Sequence, residues 1–292
     1  MHFKEVKSIL SVKNGMNLYR GCTHGCIYCD SRSKCYQINH AFEDVEVKAN
    51  APELLEQALK RKRKKCMIGT GSMSDPYLPI ESNLGLTRRC LEIIEDNGFG
   101  LSILTKSDHI LRDLDLLIKI NQKSKCVVQM TLTTFDENLC RIVEPNVSTT
   151  KERFETLKIM HENNIPTIVW LCPILPFIND TEENLTGILN YCIEAGVKGI
   201  LCFGFGMTLR EGDREYYYQK LDENFPGLKE KCQQKYGNAY EVMSDNNPEL
   251  MKIFHEICNN SQIMTDTKMI FNYLSEFPVK KHDSQLDLFI GE

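Results

Sequence analysis

Residues 17 to 33 read NLYRGCTHGCIYCDSRS, and three thiols within this stretch, Cys22, Cys26 and Cys29, fall in eight consecutive positions as CxxxCxxC. The stretch follows on an apolar, strand-like run (GMNLYR, 15 to 20), and Gly21 and Gly25 allow a tight loop in which three thiolates converge. Electron-transfer clusters usually take four cysteines, so three local ligands leave one iron of a 4Fe-4S cluster open to a substrate. Zinc is the alternative, with His24 or Cys35 as a fourth ligand. Zinc knuckles favour paired CxxC motifs, and the chain has no second such pair; Cys35 reads better as an inert neighbour.

Outward from this loop, five further runs are near-continuously apolar: CMIGT (66 to 70), LSILTK (101 to 106), CVVQMTLT (126 to 133), PTIVWLCPI (166 to 174) and KGILCFGF (198 to 205). Such runs fit parallel strands buried on both faces. Between most of them lie stretches with apolar spacing near 3.6, such as APELLEQALKRK, TRRCLEIIEDNG and TKERFETLKIMHENN. The βα alternation yields either a doubly wound sheet or a barrel, complete or partial. Beyond residue 210 the sequence turns charged and helix-prone without further strand signal. The expected division is a barrel or sheet domain over 1–210, a helical appendage over 211–280 and a flexible tail over 281–292.

The 292 residues are 42% hydrophobic, enough for one large core. No window resembles a membrane span and the opening MHFKEVKSIL lacks signal-peptide character, so a cytoplasmic protein is expected. Thirteen cysteines in that setting read as reduced thiols, most of them small core residues. A net charge of -5 supplies no general attraction for nucleic acid. The basic run Lys60 to Lys65 closes a helical stretch ahead of the second strand, where its cations suit the helix dipole; it belongs to the face opposite the cysteines.

CxxxCxxC with an aromatic residue before its third cysteine, after the first strand of a βα repeat, resembles the radical S-adenosylmethionine (SAM) superfamily. GCTHGCIYCDSRS, GTGSMSDPYLPIE, LTKS, TLTTFDENLCRIVEP and CPILPFIND resemble its spore photoproduct lyase-like branch over roughly residues 10 to 210. The resemblance implies an α/β fold, a partial (β/α)6 TIM-type barrel with a C-terminal helical appendage, and the cluster at the barrel mouth. It implies reductive cleavage of SAM to a 5′-deoxyadenosyl radical that abstracts hydrogen from a substrate, with flavodoxin or ferredoxin as electron donor.

By the same resemblance Tyr28 meets the adenine, and Ser74, Lys106 and Thr131 meet the methionyl end of SAM. Thr70, Gly71, Ser72 and Asp75 after strand two, and Thr133 beside Thr131, share the strand-end position where such barrels keep their chemistry. Glu144 and Arg153 resemble a family pair, read either as a structural salt bridge beside the barrel mouth or as a substrate contact. Asn179 and Asp180 read as a turn and helix cap before Thr181. The lyase returns hydrogen from a cysteine just after strand two, where this chain has Ser72; Cys140, Cys172 and Cys202 are the alternative donors. Gln285 to Phe289 (QLDLF) resembles short peptides that dock on the bacterial sliding clamp, which would favour a DNA-linked role. The competing readings are a DNA-lesion repair lyase and a non-catalytic metal-binding module.

Overall fold

A computed structural model describes residues 1–278. The clamp-like peptide at 285–289 lies outside the described residues. Six strands, β1 (Gly15–Met16), β2 (Met67–Thr70), β3 (Gly100–Thr105), β4 (Cys126–Thr131), β5 (Thr167–Trp170) and β6 (Gly199–Leu201), form one sheet in sequence order, every neighbouring pair parallel. That order decides between the two candidate folds. A doubly wound sheet reverses its strand order at a switch point, whereas right-handed crossovers in one unbroken direction put every helix on one face and curl the other inward. The sheet is therefore a partial barrel of six parallel strands. Its helices are α1 (Ala51–Arg61), α2 (Leu86–Asp96), α3 (Leu114–Lys123), α4 (Glu137–Val143), α5 (Thr150–Glu162) and α6 (Glu182–Glu194).

Side-chain alternation sorts each strand into two environments. In β4, Cys126, Val128 and Met130 join the main core under the helices, while Val127 turns inward to meet Ile168 and Leu201. Gln129 and Thr131 share that inner face, so the strand carries its polar groups toward its carboxyl end. Local sequence supports the elements: α1 has Pro52 in its first turn and Lys60 and Arg61 in its last, and α5 opens on a capping box between Thr149 and Glu152.

The structure sharpens or corrects four expectations. The run GMNLYR does not form one strand. Gly15–Met16 pairs with β2, whereas Tyr19–Arg20 turns away to pair with Glu46–Lys48 in a small sheet that also holds His2–Lys4. A strand absent from the sequence reading, Glu241–Met243, pairs antiparallel with Gly206–Thr208. The segment beyond residue 210, read as a helical appendage or cap, packs closely on the rest. Helix α7 (Asp213–Asn224) and helix α8 (Leu228–Tyr236) cover the cysteine loop, with Tyr217, Tyr218, Leu221 and Cys232 in one cluster with Cys26, Ile27 and Tyr28. Helix α9 (Asn247–Asn260) sinks Leu250, Phe254 and Cys258 into the main core. Helix α10 (Thr267–Ser275) places Ile270 and Leu274 against Val127, Ile168 and Leu201 on the sheet's inner face. Fourth, Thr133 lies beyond the end of β4, and its carbonyl accepts bonds from the Asn179 and Asn184 amides, both at 2.9 Å.

The basic run holds the place expected of it. Lys60 pairs with Glu56, Lys62 Nζ donates to Asn14 Oδ1 at 2.7 Å, and Lys65 lies over the Phe99 ring, all at the amino ends of the strands. No helix among the described residues is long and apolar enough to cross a membrane.

Candidate active site

The cysteine loop between Tyr19–Arg20 and the first helical turn is held at several points by backbone. Cys22 N–H donates to Phe42 O (2.9 Å) and Ile27 N–H to Val143 O (3.0 Å), while Ser74 Oγ donates to Gly21 O (2.7 Å). The Asn146 side chain donates to Thr23 O at 3.0 Å. Gly21 is required here: its φ is 88°, and a Cβ would stand 2.4 Å from Phe42 O. Burial pushes the Cys22 thiol up to about 12, the Cys29 sulfur adding to the shift, and raises Cys26 and Cys29 as well. Thiols so placed give up their protons to a metal rather than to water.

The spacing of the sulfurs distinguishes the two metal readings. A single tetrahedral zinc brings thiolates to about 3.8 Å from one another. Cys22, Cys26 and Cys29 do not bring all three sulfurs within 4.8 Å of one another. The fourth ligands considered for zinc are engaged elsewhere: His24 Nδ1 faces Asp75 Oδ2 at 3.7 Å, and Cys35 Sγ accepts from Arg210 at 3.1 Å on the exposed side of the loop. The donor set fits a multi-iron cluster several ångströms across, and one zinc ion would need the three sulfurs to draw together.

A cavity of about 660 Å³ opens directly beside the three cysteines at the carboxyl ends of the strands. Tyr28, Ser74, Lys106 and Thr131 all line it, as do Gly71, Ser72 and Asp75. Tyr28 is buried and its hydroxyl donates to Glu144. Lys106 lies with Nζ 5.8 Å from the centre of the Tyr28 ring. Burial pulls its ammonium down, and Cys26, Glu144, Cys29 and Asp75 outweigh it, so the net shift is upward and the group stays charged. Asp75 holds the loops: Oδ1 accepts from Tyr77 N–H (2.8 Å) and Thr105 Oγ1 (2.7 Å), and Oδ2 from Lys106 N–H (2.7 Å). Gly71 runs so close to Leu104 that a Cβ would lie 1.8 Å from its carbonyl oxygen.

Glu144 and Arg153 form a fully buried ion pair behind Tyr28, and Arg153 also donates to Thr131 O at 2.6 Å. The pair therefore touches two cavity residues from behind. Among the three cysteine donors, only Cys172 lines the cavity. Cys140 is packed between Arg153 and Thr150, and Cys202 sits 3.9 Å from Met251 Sδ. Asn179 serves its turn, accepting from Leu175 N–H, and Thr181 caps α6.

The sequence reading missed the far wall of the cavity. Trp170, Pro173, Phe203, Met207 and Met243 complete it, with Glu241. Trp170 Nε1 donates to Gln129 Oε1, and Gln129 Nε2 to Ser102 Oγ, both at 2.9 Å, linking three strands below the cavity. Apolar residues without a motif resemble core in a sequence. The signals available were two glycines in tight quarters, Gly204 and Gly206, the latter with a built Cβ 2.5 Å from Val242 O.

A profile of the Radical SAM superfamily matches residues 16–192, more than half of the chain. The uncharacterized protein MJ0683 of Methanocaldococcus jannaschii is 33% identical over 239 residues, 81% of this chain and 82% of that protein. The uncharacterized protein Rv2578c of Mycobacterium tuberculosis is 28% identical over 232 residues, 76% of this chain and 66% of that protein. Among solved structures, a spore photoproduct lyase variant with bound AdoMet and dinucleoside spore photoproduct superposes with a TM-score of 0.58 at 17% identity, over 84% of this chain and 72% of that one. The radical SAM methyltransferase TsrM from Kitasatospora setae, with cobalamin and a 4Fe-4S cluster, gives 0.53 at 11% identity, over 96% and 55%. At these identities the likeness is one of fold.

Proposed function

The chain belongs to the radical SAM superfamily, whose cofactors are a 4Fe-4S cluster and SAM, and from that premise we propose that Cys22, Cys26 and Cys29 hold the cluster while Tyr28, Ser74, Lys106 and Thr131 seat SAM beside it. When bound and reduced by a donor such as flavodoxin or ferredoxin, these cofactors supply a 5′-deoxyadenosyl radical that abstracts hydrogen from a substrate in the same cavity. The supporting observation is convergence: residues from the cysteine loop and from the ends of β2, β3 and β4 line one cavity of about 660 Å³.

Each side chain has a separate task. The Lys106 ammonium meets the methionyl carboxylate in a site where low solvent access strengthens the pairing. The Tyr28 ring, its hydroxyl tied to Glu144, offers a fixed flat face to the adenine. Ser74 spends its proton on Gly21 O, so its hydroxyl oxygen remains an acceptor for the methionyl ammonium. Trp170, Phe203 and Met243 give the far side an apolar lining. Cys172 is the hydrogen donor within reach: burial pushes its thiol up to about 12, which keeps the S–H bond intact at neutral pH.

Anaerobic reconstitution followed by dithionite reduction tests the reading. The wild type forms 5′-deoxyadenosine. Cys29→Ala loses it with the iron, whereas Lys106→Met keeps its iron and binds SAM at least about tenfold more weakly, the loss of one charge-assisted contact. Cluster-loaded wild-type protein that leaves SAM intact under reduction would overturn the proposal. Repair of a DNA lesion, the second reading, draws on the fold shared with spore photoproduct lyase. It requires damaged DNA to accelerate 5′-deoxyadenosine formation over undamaged DNA.

A further inference from the structure

On the outer sheet, away from the cavity, His2 and Glu46 face each other across a parallel strand pair, and His40 closes over them from the loop that follows the cysteines. One ligand atom from each of the three lies within 4.8 Å of the others, and this is the one such trio of His, Cys, Asp or Glu groups among the described residues. The two imidazole rings meet edge to face with centroids 4.9 Å apart.

The hydrogen bonds fix which nitrogens are free. His2 Nδ1 lies 3.0 Å from Asp44 Oδ2, and a carboxylate only accepts, so Nδ1 carries the proton. That leaves the Nε2 lone pair of a neutral ring 4.0 Å from Glu46 Oε2. His40 Nδ1 lies 2.9 Å from Ala41 O, another acceptor, so its proton is on Nδ1 too. His40 Nε2 is buried and has no hydrogen-bond partner. With both rings in the neutral form, two imidazole lone pairs and a buried carboxylate are the donors that this cluster offers. Each imidazole has its other nitrogen held by an oxygen, the outer-shell arrangement that orients metal-bound histidine.

We propose that His2, His40 and Glu46 form a site for a divalent cation of the zinc class, distinct from the cluster. Two imidazoles and one carboxylate match the ligand preference of zinc, with a fourth position open to water. Tetrahedral zinc draws such donors to about 3.4 Å, so His2 Nε2 and Glu46 Oε2, now 4.0 Å apart, must approach by about 0.6 Å. Lys4 Nζ, 2.9 Å from Glu46 Oε2, is the cation that satisfies the carboxylate when no metal is bound. It is half exposed and free to swing out. The site buttresses the cysteine loop: two residues past His40, the Phe42 carbonyl holds Cys22 N–H, and Gly21 lies against both, its built Cβ 3.6 Å from His40 Cε1.

The test uses anaerobically reconstituted holoenzyme, dialysed against zinc and then against buffer, with zinc and iron counted per chain and the zinc K-edge absorption recorded. Wild type retains about one zinc in a shell of nitrogen and oxygen, and His40→Ala loses it with iron content unchanged. Lys4→Met, which removes the competing ammonium, holds zinc several-fold more tightly against a chelator; a merely structural cluster of side chains gives no such gain. Failure of the wild type to retain zinc, full retention by His40→Ala, or a sulfur-dominated shell that places the metal on the cysteines each overturns the site. None of these readouts depends on SAM cleavage, so the reading of the cavity stands or falls separately.

Discussion

At the scale of single residues, the buried pair of Glu144 and Arg153 carries more than its distance from the cavity suggests. Burial raises the Glu144 carboxyl, and Arg153 and Lys106, with hydrogen bonds from Arg153 and Tyr28, pull it down further, so the net shift is downward. A carboxyl depressed by folding contributes stability above its unfolded value, near 4.3, and loses it as pH falls through the lower folded value. Glu144→Gln leaves the Arg153 charge buried without a partner, at a cost of about 3–5 kcal/mol. Urea unfolding of the two proteins at neutral pH should show that gap, and it should narrow as pH falls below the unfolded carboxyl value near 4.3, where the unfolded wild type takes up the proton first. A gap independent of pH would show that packing rather than charge carries the effect. The sequence marked the pair through its resemblance to a family motif. It could not choose between salt bridge and substrate contact, because that depends on which way two side chains turn around Tyr28.

At the scale of elements, the least expected is α10. Its nine residues cross the open inner face of the sheet and bury Ile270 completely against residues of β4, β5 and β6. The chain just before it pairs with the sheet edge, Ile200 N–H donating to Met264 O at 2.9 Å. A partial barrel has an exposed edge and an unfilled interior, and this segment covers both. Ile270→Ala should cost about 2–5 kcal/mol by leaving a cavity under the sheet. Thermal unfolding measures it, and a change below about 1 kcal/mol would mean that α10 rests on the barrel without closing it. The helix lay inside the segment read as helical, 211–280, without a stretch of its own singled out. Its docking was not, since an apolar stripe states that a face is buried without stating against what.

At the scale of the whole molecule, the cysteine loop joins two bodies. Ile27 and Tyr28 pack with Tyr217, Leu221 and Cys232 of α7 and α8, while the backbone of the same loop is held by Phe42 and Ser74 on the barrel side. A loop ordered by a cluster therefore orders α7 and α8. Removing iron with a chelator should speed amide hydrogen exchange in α7 and α8 while leaving β3, β4 and β5 protected. Uniform protection in both states would show that the two helices dock independently of the cluster.

The sequence alone placed three thiols in eight positions and, by resemblance to the radical SAM superfamily, singled out strand-end Lys106 and Thr131. Spacings and motifs are local. Three-dimensional structure decided what depends on distant segments meeting: the barrel over the doubly wound sheet through strand order, the split of GMNLYR between two sheets, and the far cavity wall of Trp170, Phe203 and Met243. It also brought His2 to His40 and Glu46. Lone pairs and apolar walls become a site only when packing removes water from around them, and no single stretch of chain records that removal.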